Sequence, residues 1–171
     1  EKYRVFYGFN GDAALGFDIT PSTANPNQNL TVNLSQRTEF VAGKYNIYVV
    51  AYPGIESEYL AESKISNSLE YVKTEQLAKA TISYDTSAKK YTIGYKKSLI
   101  EFVRQFKIVV NGVEVYVDAA EVALNGRVEG NKYFYEFDLS PIYSQEPTIV
   151  EITAIAGNQY YLDSQVQTVN I

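Results

Sequence analysis

Cysteine, histidine, methionine and tryptophan are all absent from the 171 residues. Without cysteine there are no disulfides and no thiolate metal sites, which excludes a small disulfide-stapled scaffold but leaves the compartment open. Without histidine as well, Ser-His-Asp and Cys-His constellations cannot form, and zinc would need an all-carboxylate site. No apolar run approaches the roughly 20 residues of a membrane-spanning helix, so membrane insertion is not expected. Glu1-Lys2-Tyr3 does not open a signal sequence, so any export signal is expected to have been removed or to lie upstream. The net charge is −5, and neither half carries the basic excess that nucleic-acid backbones demand. Glycines are scattered among turns (Gly54, Gly94, Gly112, Gly126, Gly130, Gly157) and form no phosphate-binding loop, so neither a nucleotide nor another cofactor is expected.

What is present is apolar and aromatic. Hydrophobic residues make up 46% of the chain and charged residues 20%, enough for packed cores and too little charge for disorder. The aromatic content is 16 Tyr and 8 Phe, residues that favour strands and half-wet sheet faces. Alternating or β-branched runs recur at short intervals between Gly, Asn, Pro and Asp clusters, the pattern of an all-β sandwich. Strands are predicted at Tyr3–Phe9, Ala14–Ile19, Asn29–Leu34, Tyr45–Tyr52, Leu60–Ile65 and Ser68–Val72. They continue at Ala80–Tyr84, Tyr91–Tyr95, Phe106–Asn111, Val113–Val117, Tyr133–Leu139, Thr148–Ala156 and, with a break, from Tyr160 to Ile171.

The chain also repeats itself. Tyr45–Gly54 lines up with Thr148–Gly157, so that Ile47, Val49 and Ala51 fall opposite Val150, Ile152 and Ala154, the inward positions of a period-two strand. In the same order Tyr3–Tyr7 pairs with Phe106–Val110, Asn33-Leu34-Ser35 with Asp138-Leu139-Ser140, and Glu62-Ser63 with Asp163-Ser164. An offset of about 100 residues is the size of one immunoglobulin-like unit. Two sandwich units follow, residues 1–73 and 74–171. The second has two strands, near Thr81 and Thr92, ahead of its Phe106 strand, whereas the first opens on the equivalent strand. The first unit is therefore expected to lack its N-terminal strands. The natural protein is expected to extend upstream, or another segment to fill the gap.

Ser98-Leu99-Ile100-Glu101 has capping-box form, and Asp118–Leu124 ends at Asn125-Gly126; both predict helices of one or two turns in connections. The junction Lys73–Lys79 is short and free of Gly and Pro, which predicts a stiff end-to-end linkage.

Gly43-Lys-Tyr-Asn-Ile-Tyr-Val-Val-Ala-Tyr52, followed by Glu62-Ser-Lys-Ile-Ser-Asn-Ser-Leu-Glu-Tyr71, resembles the last two strands of fibronectin type III-like, immunoglobulin-like domains in bacterial surface and secreted proteins. The resemblance covers the ends of both units, and the core Trp usual in such domains is missing. It implies spacer, adhesion or accessory modules, located outside the cell or on the bacterial surface, with neighbouring domains of the same protein as partners.

Chemistry has few candidates. Glu56 with Glu58, or Asp118 with Glu121, could pair as acid and base, but a hairpin turn and a helix cap account for them better. Asn10-Gly11-Asp12 and Asp18 offer oxygens to calcium without the regular loop spacing, as ordinary Asx turns also do, so no metal site is expected. Two glycosylation sequons, at Asn29 and Asn33, read as accidental. The candidate binding residues are Tyr48 and Tyr52, which face away from the core, and Tyr160 and Tyr161 at a turn. The leading expectation is a non-enzymatic spacer or adhesion module. The alternatives are a carbohydrate-binding module that uses these tyrosines, and a subunit completed by a strand from a partner.

Overall fold

The computed structural model describes residues 2–9, 15–21, 29–54, 61–139 and 146–171. Contacts divide the chain into two compact units, Glu1–Thr74 and Glu75–Ile171. Both are built mainly from antiparallel sheets, the second with one short parallel pairing of Glu75–Gln76 and Tyr161–Leu162, and the fold is all-β and immunoglobulin-like.

In the first unit, β1 (Lys2–Phe9), β2 (Leu15–Ile19), β3 (Gly43–Tyr52) and β4 (Leu69–Lys73) form one sheet in the order β2-β1-β3-β4. Period-two patterning gives the sheet two different faces. Tyr3, Val5 and Tyr7 of β1 pair with Ala51, Val49 and Ile47 of β3 on the inner face. Arg4 and Phe6 pair with Val50 and Tyr48 on the outer face. The outer face carries ion pairs from Lys2 to Asp18 at 2.9 Å and from Lys44 to Glu70 at 2.6 Å.

The second unit begins with β5 (Glu75–Gln76), β6 (Thr81–Asp85), β7 (Lys90–Lys96), β8 (Val103–Val110) and β9 (Val113–Asp118). It continues through α1 (Ala119–Asn125), β10 (Arg127–Glu129), β11 (Lys132–Phe137), β12 (Ile149–Ala156), β13 (Tyr161–Leu162) and β14 (Gln167–Asn170). Its two four-stranded sheets have the orders β10-β11-β7-β6 and β14-β12-β8-β9. That is the four-plus-three immunoglobulin arrangement with one extra edge strand. Tyr91, Ile93 and Tyr95 of β7 belong to one core with Phe106, Ile108 and Val110 of β8 and Val150, Ile152 and Ala154 of β12, every one of them at most 3% exposed. Each fully buried Ile there contributes about 1.5–3 kcal/mol of transfer free energy.

The two units share register residue by residue. Val5 opposite Val49 corresponds to Ile108 opposite Ile152, Tyr3 opposite Ala51 to Phe106 opposite Ala154, and Tyr7 opposite Ile47 to Val110 opposite Val150. The serine match is structural too. The Ser63 amide donates to the Ala51 carbonyl, while the Ser63 hydroxyl accepts from the Ala51 amide and donates to the Lys64 carbonyl. Ser164, Ala154 and Gln165 make the same three bonds. Ser66 repeats the device on Val49. Serine here serves as a side-chain substitute for a ladder bond where the last segment pulls away from regular pairing.

Several expectations are corrected. Residues 61–65 and 29–33 form no strand; the first run is held by the serines, and Leu34–Gln36 is a 3-10 turn capped by Asn33. Ser98–Glu101 lies inside a 3-10 turn, Lys97–Phe102, whose N-cap is Lys96 and makes no side-chain bond, so the capping box does not form. Asp118 does cap α1 in sequence but makes no side-chain cap bond. Gly126 ends α1 with an ordinary φ of −73°; glycine is required because a Cβ would lie 2.4 Å from the Val122 carbonyl oxygen. The short strands β5 and β10 were not expected.

One corner device went unread in the sequence. The Tyr45 hydroxyl at the start of β3 accepts from the Val41 amide at 3.0 Å and donates to the Val41 carbonyl at 2.9 Å, the tyrosine corner of immunoglobulin-like sandwiches. In the second unit the equivalent residue is Thr148, and Asn111 does the work instead: its Oδ1 accepts from the amides of Thr148 and Ile149. Tyr45→Phe removes the hydroxyl and strands both backbone groups of Val41. The expected cost is about 1–3 kcal/mol, read as earlier loss of hydrogen-exchange protection in β1 and β3 with β8 and β12 unchanged. Equal loss in both units would refute the corner's local role.

Candidate functional site

The described tyrosine candidates are each engaged by a neighbour. Tyr48 stacks on Phe6 across the strand pair, with centroids 5.1 Å apart and planes at 15°, and the Arg4 guanidinium lies over that Phe6 ring at 5.7 Å. Tyr52 carries the Lys2 ammonium over its ring at 5.7 Å. Tyr161 stacks on Phe102 at 4.6 Å and 21°. The Tyr160 amide donates to Asn158 Oδ1, and its carbonyl accepts from the Glu75 amide. Tyr48 and Tyr52 do share the outer face, as their phase requires, because they lie four residues apart on one strand.

Two of the candidate carboxylates are similarly engaged, while Asp118 makes no side-chain cap bond. Glu121 accepts the Tyr135 hydroxyl at 2.5 Å, and this bond together with burial pushes the Tyr135 phenol up to about 12. Asp18 is paired with Lys2 and Arg4, and the Lys2 hydrogen bond holds its carboxyl below the ordinary value. Glu56, Glu58 and Asn10-Gly11-Asp12 lie outside the described residues. Among the described residues no three acidic groups come together in a manner suited to a metal. Asn33, the second sequon asparagine, has its Oδ1 bound to the Ser35 amide and hydroxyl. The Tyr95 hydroxyl is buried without a hydrogen-bond partner among the described residues, and desolvation raises its pKa to about 12.

The largest structural difference between the units is on the inner face of the first sheet. At its lower end Phe40, 1% exposed, covers it: the ring packs on Tyr7 at 4.6 Å, on Tyr45 at 4.8 Å and on Tyr71 at 5.7 Å. The Arg37 guanidinium lies 3.4 Å from the Phe17 centroid at the β2 edge. At the upper end the cover stops. Tyr3, Val49 and Ala51 are only half-buried, whereas their equivalents Phe106, Ile152 and Ala154 are completely buried. The exposed end forms an apolar groove of about 340 Å³ lined by Tyr3, Val5, Ile19, Leu30, Val32 and Val49, together with Pro21 and Asn29. The sequence reading did not single out this groove as a site.

No protein-family model matches the chain. No curated protein matches it either. Among solved structures it is similar to the FN1–FN3 domains of chicken CNTN1, with 13% identity and a TM-score of 0.32 over 99% of this chain. It spans 55% of the length of that one. The fold assignment rests on the sheet orders and registers described above.

Proposed function

We propose that the chain is a non-enzymatic structural and interaction module, a spacer or adhesion segment of a larger bacterial extracellular or surface protein. The observation that carries this reading is the shared construction of the two units, down to the register of β1 with β3 and of β8 with β12 and the serine clamps on Ala51 and Ala154. Repetition of one framework with different decoration suits a chain that places surfaces at intervals. Of the carboxylates considered for chemistry, Glu121 is hydrogen-bonded to Tyr135 and Asp18 is ion-paired with Lys2.

The carbohydrate-binding alternative calls for a flat row of presented rings. Phe6 and Tyr48 instead stack face to face, so each ring covers one face of the other. Retention on insoluble polysaccharides (cellulose, chitin, peptidoglycan) and binding to immobilised extracellular-matrix proteins separate the two readings. The expected result is no polysaccharide retention that depends on Tyr48 or Tyr52. Retention lost on Tyr52→Ala, in a chain that still folds, would overturn the spacer reading in favour of the sugar-binding one.

A further inference from the structure

Among the described residues β10 (Arg127–Glu129) is the outermost strand of its sheet, bonded to β11 alone, and all three of its residues are exposed. Its hairpin fixes which of them has backbone groups to spare. Glu129 lies opposite Lys132 across the two-residue turn Gly130-Asn131, the position of a hydrogen-bonded pair. Bonding alternates from there, so Glu129 and Arg127 direct their amides and carbonyls to β11, and those of Val128 point to the open side. The next strand agrees. The Lys97 amide donates to the Asn131 carbonyl at 3.0 Å, which assigns the backbone of Asn131 and Tyr133 to β7 and leaves that of Lys132 and Phe134 to β10.

An open strand edge is a template for another strand, and proteins commonly guard it with charge. Here the charges are of opposite sign about a centre. Arg127 and Glu129 flank Val128, their side chains are 67% and 53% exposed, and they pair with each other at 2.6 Å. A two-fold rotation about Val128 lays a second β10 antiparallel to the first, with Arg127 opposite Glu129 of the second copy at both ends. Val128 then meets its own counterpart, each amide donating to the other's carbonyl. Gly126 and Gly130, which bound the strand, put no side chain in the way. The edge strand β9 of the other sheet lacks this property: the same rotation about Tyr116 sets Glu114 against Asp118, and like charges directly opposite repel.

We propose that β10 is a self-association edge, occupied by β10 of a second copy of this chain in an antiparallel strand pair centred on Val128. The two-fold makes every contact occur twice. Two main-chain bonds between the valines and two cross-strand ion pairs hold the copies together, and Val128, 49% exposed in the single chain, is covered. The contact is small, so the pair is weak and salt-sensitive.

Charge reversal in the full chain tests the register. Sedimentation equilibrium up to about 1 mM, the range of weak contacts, is expected to show a monomer–dimer equilibrium that salt weakens. Arg127→Glu sets carboxylate against carboxylate, and Glu129→Arg sets guanidinium against guanidinium, so each variant alone is expected to dimerise at least about tenfold more weakly. An equimolar mixture of the two is expected to pair again, because every cross-strand contact between them is then of opposite sign. The doubly reversed chain is expected to dimerise as wild type does. Both side chains are exposed, and amide protection in β11 checks that each variant is folded. A monomer throughout the concentration range would overturn the proposal. Dimerisation unchanged by either reversal would assign it to another surface and equally overturn it. Weakened variants that neither mixing nor double reversal restores would refute the antiparallel register on which it rests. None of these outcomes depends on whether the module binds polysaccharide.

Discussion

Ile152→Ala is expected to cost the second unit about 2–5 kcal/mol, because the side chain is completely enclosed between its two sheets and the cavity left behind collapses only in part. Val49 occupies the same place in the first unit, opposite Val5 as Ile152 is opposite Ile108. A matched comparison uses the Val-to-Ala step at each position, obtained at residue 152 as the difference between Ile152→Val and Ile152→Ala. At Val49 that step is expected to cost less than about 1 kcal/mol, since a half-buried methyl pair loses little transfer free energy and opens no enclosed void. Unit-resolved hydrogen exchange in increasing denaturant measures both. Equal costs at the two positions would mean that the inner face of the first sheet is covered after all.

Phe40→Ala is the counterpart in the first unit, with an expected loss of about 3–5 kcal/mol. Among the described residues of the connection between β2 and β3, Phe40 is the most enclosed, and it joins Tyr7, Tyr45 and Tyr71 in a cluster of tilted and edge-to-face rings. Small domains hold only about 5–15 kcal/mol in total, and a unit with one uncovered sheet end has less core to draw on. The expected readout is loss of protection throughout Val5–Tyr7 and Tyr45–Ile47, with β8 and β12 unaffected because they belong to the other unit. Phe40→Leu, which keeps most of the volume, is expected to fall between wild type and Phe40→Ala. Cooperative loss in both units would contradict their separation.

The legible part of the fold was the part written in alternation. Ile47, Val49 and Ala51 announce their facing by period two, and the match to Val150, Ile152 and Ala154 carried over to the paired strands without a slip, because a one-residue shift would turn every buried side chain to water. Short pairings were not legible. β5 and β10 are two and three residues long, too short for a period, and exist because β13 and β11 lie beside them. The 3-10 turn at Lys97–Phe102 shows the opposite error: Leu99, Phe102, Val103 and Phe106 recur at helical spacing, but Val103 already opens β8, and the capping-box pattern has no helix to cap.

The site divides in the same manner. The outward facing of Tyr48 and Tyr52 could be read from their phase, while their engagement by Phe6 and Lys2 could not, because those partners come from another strand. Residue order by itself determined the two-unit repeat and the inward set of each main strand, both of which depend only on spacing along the chain. Tertiary structure alone decided which strand-competent segments became strands. Tyr135–Phe137 and Leu30–Val32 occupy matching places in the repeat, yet among the described residues only the first run has a neighbour whose amides and carbonyls face its own. A β-strand is a property of a pair, and the pair is completed across space.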